Sequence, residues 1–286
     1  MIFLIISGKN LGRNIFSCSG LILLQLLLAT FPCSQAGAQG VAVSPSRIFY
    51  NLSEGGSSTE RIKISNTDSS ELILNASLKD WYRDSLGNKI YFAPGSLNHS
   101  NANWLRISPS QIVLKPGESK EVSINIEVPQ DAPPVSNSML FLTQVNKKPP
   151  QERTDPSGKK VAVLIKLEIG IHVYNTLPAY HKKNIQFTQV EERAPLNDST
   201  RVIATVLKNT GEVSTDAFLR LELTHKISGE NRKFPARAIT MLPGATQVIL
   251  HYIPAHLAAG TYLAAFILDY GEDAELKVAQ KDIQYE

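Results

Sequence analysis

Cysteine is nearly missing from this chain. Its two copies, Cys18 and Cys33, fall within the first 38 residues, so no disulfide or thiolate metal site is available after Ala38. An excess of one charge is missing too. The formal net charge is +3, and Lys9 and Arg13 supply two of those cations. Near-neutrality excludes nucleic-acid or membrane-surface binding driven by bulk charge. Long apolar runs are absent. The strongest, residues 21–29 (LILLQLLLA), is too short for a bilayer, which takes ~20 residues. Helical periodicity is almost absent. No Gly-rich phosphate loop or nucleophile elbow occurs. The histidines, His99, His172, His181, His225, His251 and His256, show no metal-ligand spacing. Neither an enzyme nor a metal or cofactor is expected.

What is present begins at the N-terminus. Lys9 and Arg13 precede the apolar run, and Ala36-Gly37-Ala38 follows it. A basic region, a short apolar core and a small-x-small site predict a secretory signal peptide over residues 1–38. The remainder is expected to be soluble outside the cytoplasm and is long enough for two domains with real cores.

Short strands and turn signals then alternate. The extended stretch 41–52 is followed by the turn Glu54-Gly55-Gly56. Residues 60–65 and 122–128 alternate apolar and polar, and 72–81 is a further strand. Residues 83–103 read as an irregular excursion, and 147–160 as a polar, Pro-rich hairpin loop. About seven strands are predicted, the number of an immunoglobulin-type sandwich. A second set follows, with turns at Asn209-Thr210-Gly211 and Leu242-Pro243-Gly244. The expected fold class is all-β: two immunoglobulin-like β-sandwich domains, 39–178 and 183–286. Trp81 and Trp104 are expected in the core rather than as sugar platforms.

One segment stands out. Between 161 and 173 every odd position is apolar: Val161, Val163, Ile165, Leu167, Ile169, Ile171 and Val173. With a period of two, these side chains share one face. Thirteen residues exceed the usual five or six of a strand. The segment is either a long core strand running into the linker or a strand available to another protein. In the second case backbone hydrogen bonds supply affinity and alternate side chains fill pockets.

The first domain resembles the PapD-like periplasmic pilus chaperones. The resemblance rests on Ser46-Arg47-Ile48-Phe49-Tyr50, on Ile64-Ser65-Asn66 leading to Trp81, on Trp104-Leu105-Arg106-Ile107-Ser108-Pro109 with Leu114-Lys115-Pro116-Gly117, and on residues 137–142. The long alternating segment follows in the family's order. It implies a periplasmic chaperone that lends a strand to a folding pilin or other surface subunit, with an outer-membrane usher as a possible further partner. The donor residues would be Val163, Ile165, Leu167, Ile169 and Ile171. It also implies a basic anchor for the subunit's terminal carboxylate. Arg47 matches its first residue. The second is a Lys in the family, and His172 stands there, with Lys166 one slip away. A His of unperturbed pKa ~6.5 is not a fixed charge. The second domain resembles generic bacterial immunoglobulin or fibronectin modules instead. A surface or periplasmic binding or adhesion module is therefore the alternative function, with secretion or the cell surface as the alternative location.

Overall fold

Leu74, Ile62, Ile124 and Leu140 come from four separate stretches of sequence, and all are fully buried in one cluster. Period-two alternation puts them on the inner faces of two sheets, where each buried aliphatic side chain contributes ~1.5–3 kcal/mol. The computed structural model describes residues 40–146, 151–154, 157–163, 166–271 and 275–286. The expected signal peptide lies outside the described residues. Apart from one 3-10 turn, Ala102–Trp104, the regular structure of the described residues is strand.

The first sandwich has strands β1 (Val41–Ser44), β2 (Arg47–Tyr50), β3 (Ser57–Asn66), β4 (Leu72–Arg83), β5 (Lys89–Phe92), β6 (Leu105–Ser108), β7 (Gln111–Leu114), β8 (Ser119–Glu127), β9 (Val135–Gln144), β10 (Gln151–Thr154), β11 (Lys160–Val163) and β12 (Glu168–Thr176). One sheet runs β1-β3-β8-β6. The other runs β2-β12-β9-β4, with β5 and β7 sharing the far edge of β4. The second sandwich has β13 (Ile185–Asn197), β14 (Thr200–Asn209), β15 (Thr215–His225), β16 (Asn231–Lys233), β17 (Arg237–Met241), β18 (Thr246–Pro254), β19 (Gly260–Asp269) and β20 (Lys277–Tyr285). Its sheets are β13-β14-β18 and β16-β15-β19-β20, with β17 also on β15. A separate core centred on Leu219, Leu223 and Phe266 fills it.

Three expectations need correction. The stretch 41–52 is not one strand. It breaks at Pro45, which lacks the N–H a ladder needs, and β1 and β2 join opposite sheets. The excursion 83–103 holds β5. Asp84 accepts from the backbone N–H groups of Leu86 and Asn88, and Gly87 takes φ +86° at the tip, closing a hairpin onto β4. The segment 161–173 is not one continuous strand either. Residues 160–163 pair with Gln151–Thr154 inside the supposed loop, Lys166 and Leu167 are not in strand, and β12 begins at Glu168.

β9 is buried on both faces. Leu140 and Leu142 point into the first core. Met139 and Phe141 form a second cluster with Trp81 and Tyr174, against which Leu242 of the second sandwich packs. β12 shares this division: Ile171 and Val173 face the core, while His172 and Tyr174 face the outer cluster. Ser85 in the β4–β5 turn accepts from the N–H of Val248 at 2.6 Å, tying that hairpin to β18.

Candidate functional site

Arg47 and His172 meet by register. β2 runs parallel to β12, with His172 directly beside Arg47. The N–H of His172 donates to the carbonyl of Ser46 at 3.2 Å, and the ladder runs from there to Asn175. In a strand, successive residues turn their backbone groups to opposite sides. Even-numbered residues of β12 therefore point toward β2. Odd-numbered ones point toward β9, as when Gln144 donates to the carbonyl of Leu167 at 2.9 Å. β2 ends at Arg47. Glu168 and Gly170 thus present N–H and C=O groups to an edge without a strand partner among the described residues.

The proposed donor side chains divide along this strand. Ile171 is fully buried in the protein's own core, while Leu167 and Ile169 are half-buried. Ile165 and the side chain of Val163 lie outside the described residues. Gly170 lets the outer cluster close over the strand. A Cβ there would lie 2.9 Å from the Met139 sulfur and 3.4 Å from the Phe141 ring.

His172 is a neutral acceptor. Its Nε2 lies 3.0 Å from the Lys89 ammonium, which can only donate. The proton therefore sits on Nδ1 and points to the Tyr174 hydroxyl at 3.2 Å. The ring stands edge-on to Trp81, with centroids 4.8 Å apart. Burial, then the charges of Lys89, Arg47 and Arg83, push its pKa down to about 3, against a smaller opposing pull from Asp216. Burial also raises the Tyr174 phenol to about 12.

Two cations here escaped the sequence reading. Arg83 ends β4 and Lys89 opens β5, and they are direct cross-strand partners. Like charges placed opposite each other are destabilising. Both lie near the Trp81 ring, at 5.8 and 5.9 Å from its centroid. Arg83 donates to the carbonyl of Gly87 at 2.7 Å, while its buried Nε has no partner. Burial, then Arg83 and Arg47, lower the Lys89 pKa. The signal that could have found this pair is the Asp84–Asn88 turn, which makes residues 83 and 89 neighbours.

One acid faces these cations. Asp216 of β15 takes Arg47 at 2.6 Å and the Thr240 hydroxyl at 2.6 Å. Beside it, Arg47, Arg83, Arg237, Thr240 and Gln247 line a polar cavity of about 300 Å³. Carboxylate-binding chemistry suits such a cleft, since guanidinium forks match two oxygens. Among the described residues no His, Cys, Asp and Glu side chains gather in threes for a metal, and no helix is long and apolar enough to cross a membrane.

No protein-family profile and no curated protein matches the chain. Solved structures do. One is the CupB2 chaperone of Pseudomonas aeruginosa, 13% identical over 86% of this chain and 100% of that one, with a TM-score of 0.42. Another is the CsuC–CsuE chaperone–tip subunit pre-assembly complex of Acinetobacter baumannii, 15% identical over 84% and 97%, with a TM-score of 0.45. A third is the YadV chaperone, 10% identical over 85% and 99%, with a TM-score of 0.46.

Proposed function

We propose that the chain is an exported chaperone that holds pilus or other surface subunits by lending them the edge of β12. Residues 1–38 direct it to the periplasm, where it receives a subunit lacking one strand and passes it to an outer-membrane usher. The observation that carries this reading is the end of the β2–β12 ladder. The backbone groups of Glu168 and Gly170, without a strand partner among the described residues, lie immediately beyond the paired Arg47 and His172. A subunit strand added at that edge would gain backbone hydrogen bonds, with specificity from alternate side chains. Its terminal carboxylate would reach Arg47 and the cleft beside it. Val163, Ile165, Leu167 and Ile169 remain the candidate donor side chains, and Ile171 continues the strand into the chaperone's own core.

Glu168→Pro is the direct test. It removes an N–H that points to the open edge and leaves the β9 pairing of Ile169 and Ile171 intact. Binding to a subunit trimmed of its complementing strand should fall by about fivefold to tenfold, since one backbone hydrogen bond worth about 1 kcal/mol is lost. Unchanged binding by a folded Glu168→Pro protein would sink the strand-lending idea and favour a static binding module.

A further inference from the structure

We infer that Lys89 is the second cation of the carboxylate anchor, set in place by His172 acting as its hydrogen-bond acceptor. The inference rests on the anchor reading above and assigns a residue to it. Three observations lead to it. Lys89 Nζ and His172 Nε2 are 3.0 Å apart, and the imidazole opposes Arg47 in the parallel ladder, so the ammonium is held beside the Arg47 strand. Arg83 and Lys89 are opposed like charges on a tryptophan floor, a pairing that is unfavourable until an anion joins it. The third is a charge imbalance. The groups facing His172 are Lys89 from β5, Arg83 from β4, Arg47 from β2, the Tyr174 hydroxyl from β12 and Asp216 from β15. Three cations thus face one carboxylate. A carboxylate would halve the remaining excess of two positive charges, and a chain terminus supplies one.

A neutral imidazole cannot replace an ammonium as a charge. It can hold one, because a Lys carries three donors and only one is used on Nε2. The remaining two are left to donate to an anion beside Arg47. The positive charge expected at position 172 is thereby delivered from another strand.

The test measures affinity for one subunit in two forms, with a free C-terminal carboxylate and with a C-terminal amide. Arg47→Ala, Lys89→Met and the double variant Lys89→Met/His172→Lys are compared with wild type. Lys89→Met should weaken binding of the free-acid form about tenfold or more and leave the amide form unchanged. The double variant should recover most of the loss. Inorganic phosphate should compete only weakly if the site is shaped for a chain terminus, and strong competition would make it a general anion site. Full affinity in Lys89→Met with a tenfold loss in Arg47→Ala would overturn the role of Lys89 and leave the anchor standing. Full affinity in both would remove the anchor itself. Nitrogen NMR gives an independent readout. His172 should carry its proton on Nδ1 from pH 5.5 to 8 in wild type, and a charged imidazole in that range would reassign the cation to His172. Where Lys89→Met does not fold, Lys89→Gln and Lys89→Arg serve, with Arg expected to retain binding.

Discussion

At the scale of the residue, the site depends on which imidazole state is stable. His172 in the folded chain refuses a proton until about pH 3, whereas the unfolded chain accepts one near 6.5. Its folded pKa is depressed, so its contribution to stability is full above pH 6.5 and is lost as pH falls toward 3. The loss in that window is up to about 1.4 kcal/mol per pH unit. His251, buried against Phe266 and lowered to about 4, adds a second such term between pH 6.5 and 4. Urea unfolding at pH 7, 5.5 and 4.5 should show this slope, and His172→Leu should flatten it. A slope identical in both proteins would mean that His172 is charged when folded. The pairing of Arg47 with His172 was expected only from the family resemblance, because alternation fixes the face of a strand and not its register. Lys89, Arg83 and Asp216 were not expected at the site. Asp216 lies 169 positions from Arg47, and Lys89 lies 83 from His172, distances that only the tertiary fold closes.

At the scale of the element, hydrogen bonding divides β12 along its length. The amides of Ile169 and Ile171 turn to β9, while those of Glu168 and Gly170 turn to an edge without a strand partner among the described residues. Hydrogen exchange in the free protein should be slow at the first pair and fast at the second, and a bound subunit should slow the second. Equal protection in the free protein would show that the edge is covered. The connection between sandwiches is fixed by a different device. The N–H groups of Thr210 and Gly211 both donate to the carbonyl of Asn184, at 2.8 and 3.0 Å. A Cβ on Gly211 would fall 2.6 Å from both the Asn184 nitrogen and the Lys182 oxygen, which are backbone atoms that cannot swing aside. Gly211→Ala should therefore cost about 1–3 kcal/mol in denaturant unfolding, and a cost near zero would mean that this clamp yields freely. Strand alternation at β3 and β8 was legible because Ile62 and Ile64, and Val122, Ile124 and Ile126, are buried in alternation with less buried polar neighbours. β5 was hidden for the opposite reason. Its four residues are half-buried or exposed and carry no alternation, so only the turn before it marks it. The break before β12 was also hidden, since apolar alternation continues at Leu167, which lies outside the strand.

At the scale of the whole molecule, the two sandwiches are joined at the cleft by the bond from Arg47 to Asp216. Both partners are substantially exposed, 42% and 56%, so the pair contributes at most about 1 kcal/mol. Asp216→Asn should leave thermal stability nearly unchanged and strengthen binding of a free-acid subunit by up to about fivefold, the factor that 1 kcal/mol allows. Weaker binding in that variant would make Asp216 part of the grip instead. The bond also has a reciprocal meaning. A guanidinium that serves both an internal carboxylate and an arriving one links two equilibria, and linkage runs equally in both directions. Each bound subunit would weaken the Arg47–Asp216 bond by the same factor that a weakened bond adds to the hold on the subunit. Release of the cargo would then return Arg47 to Asp216.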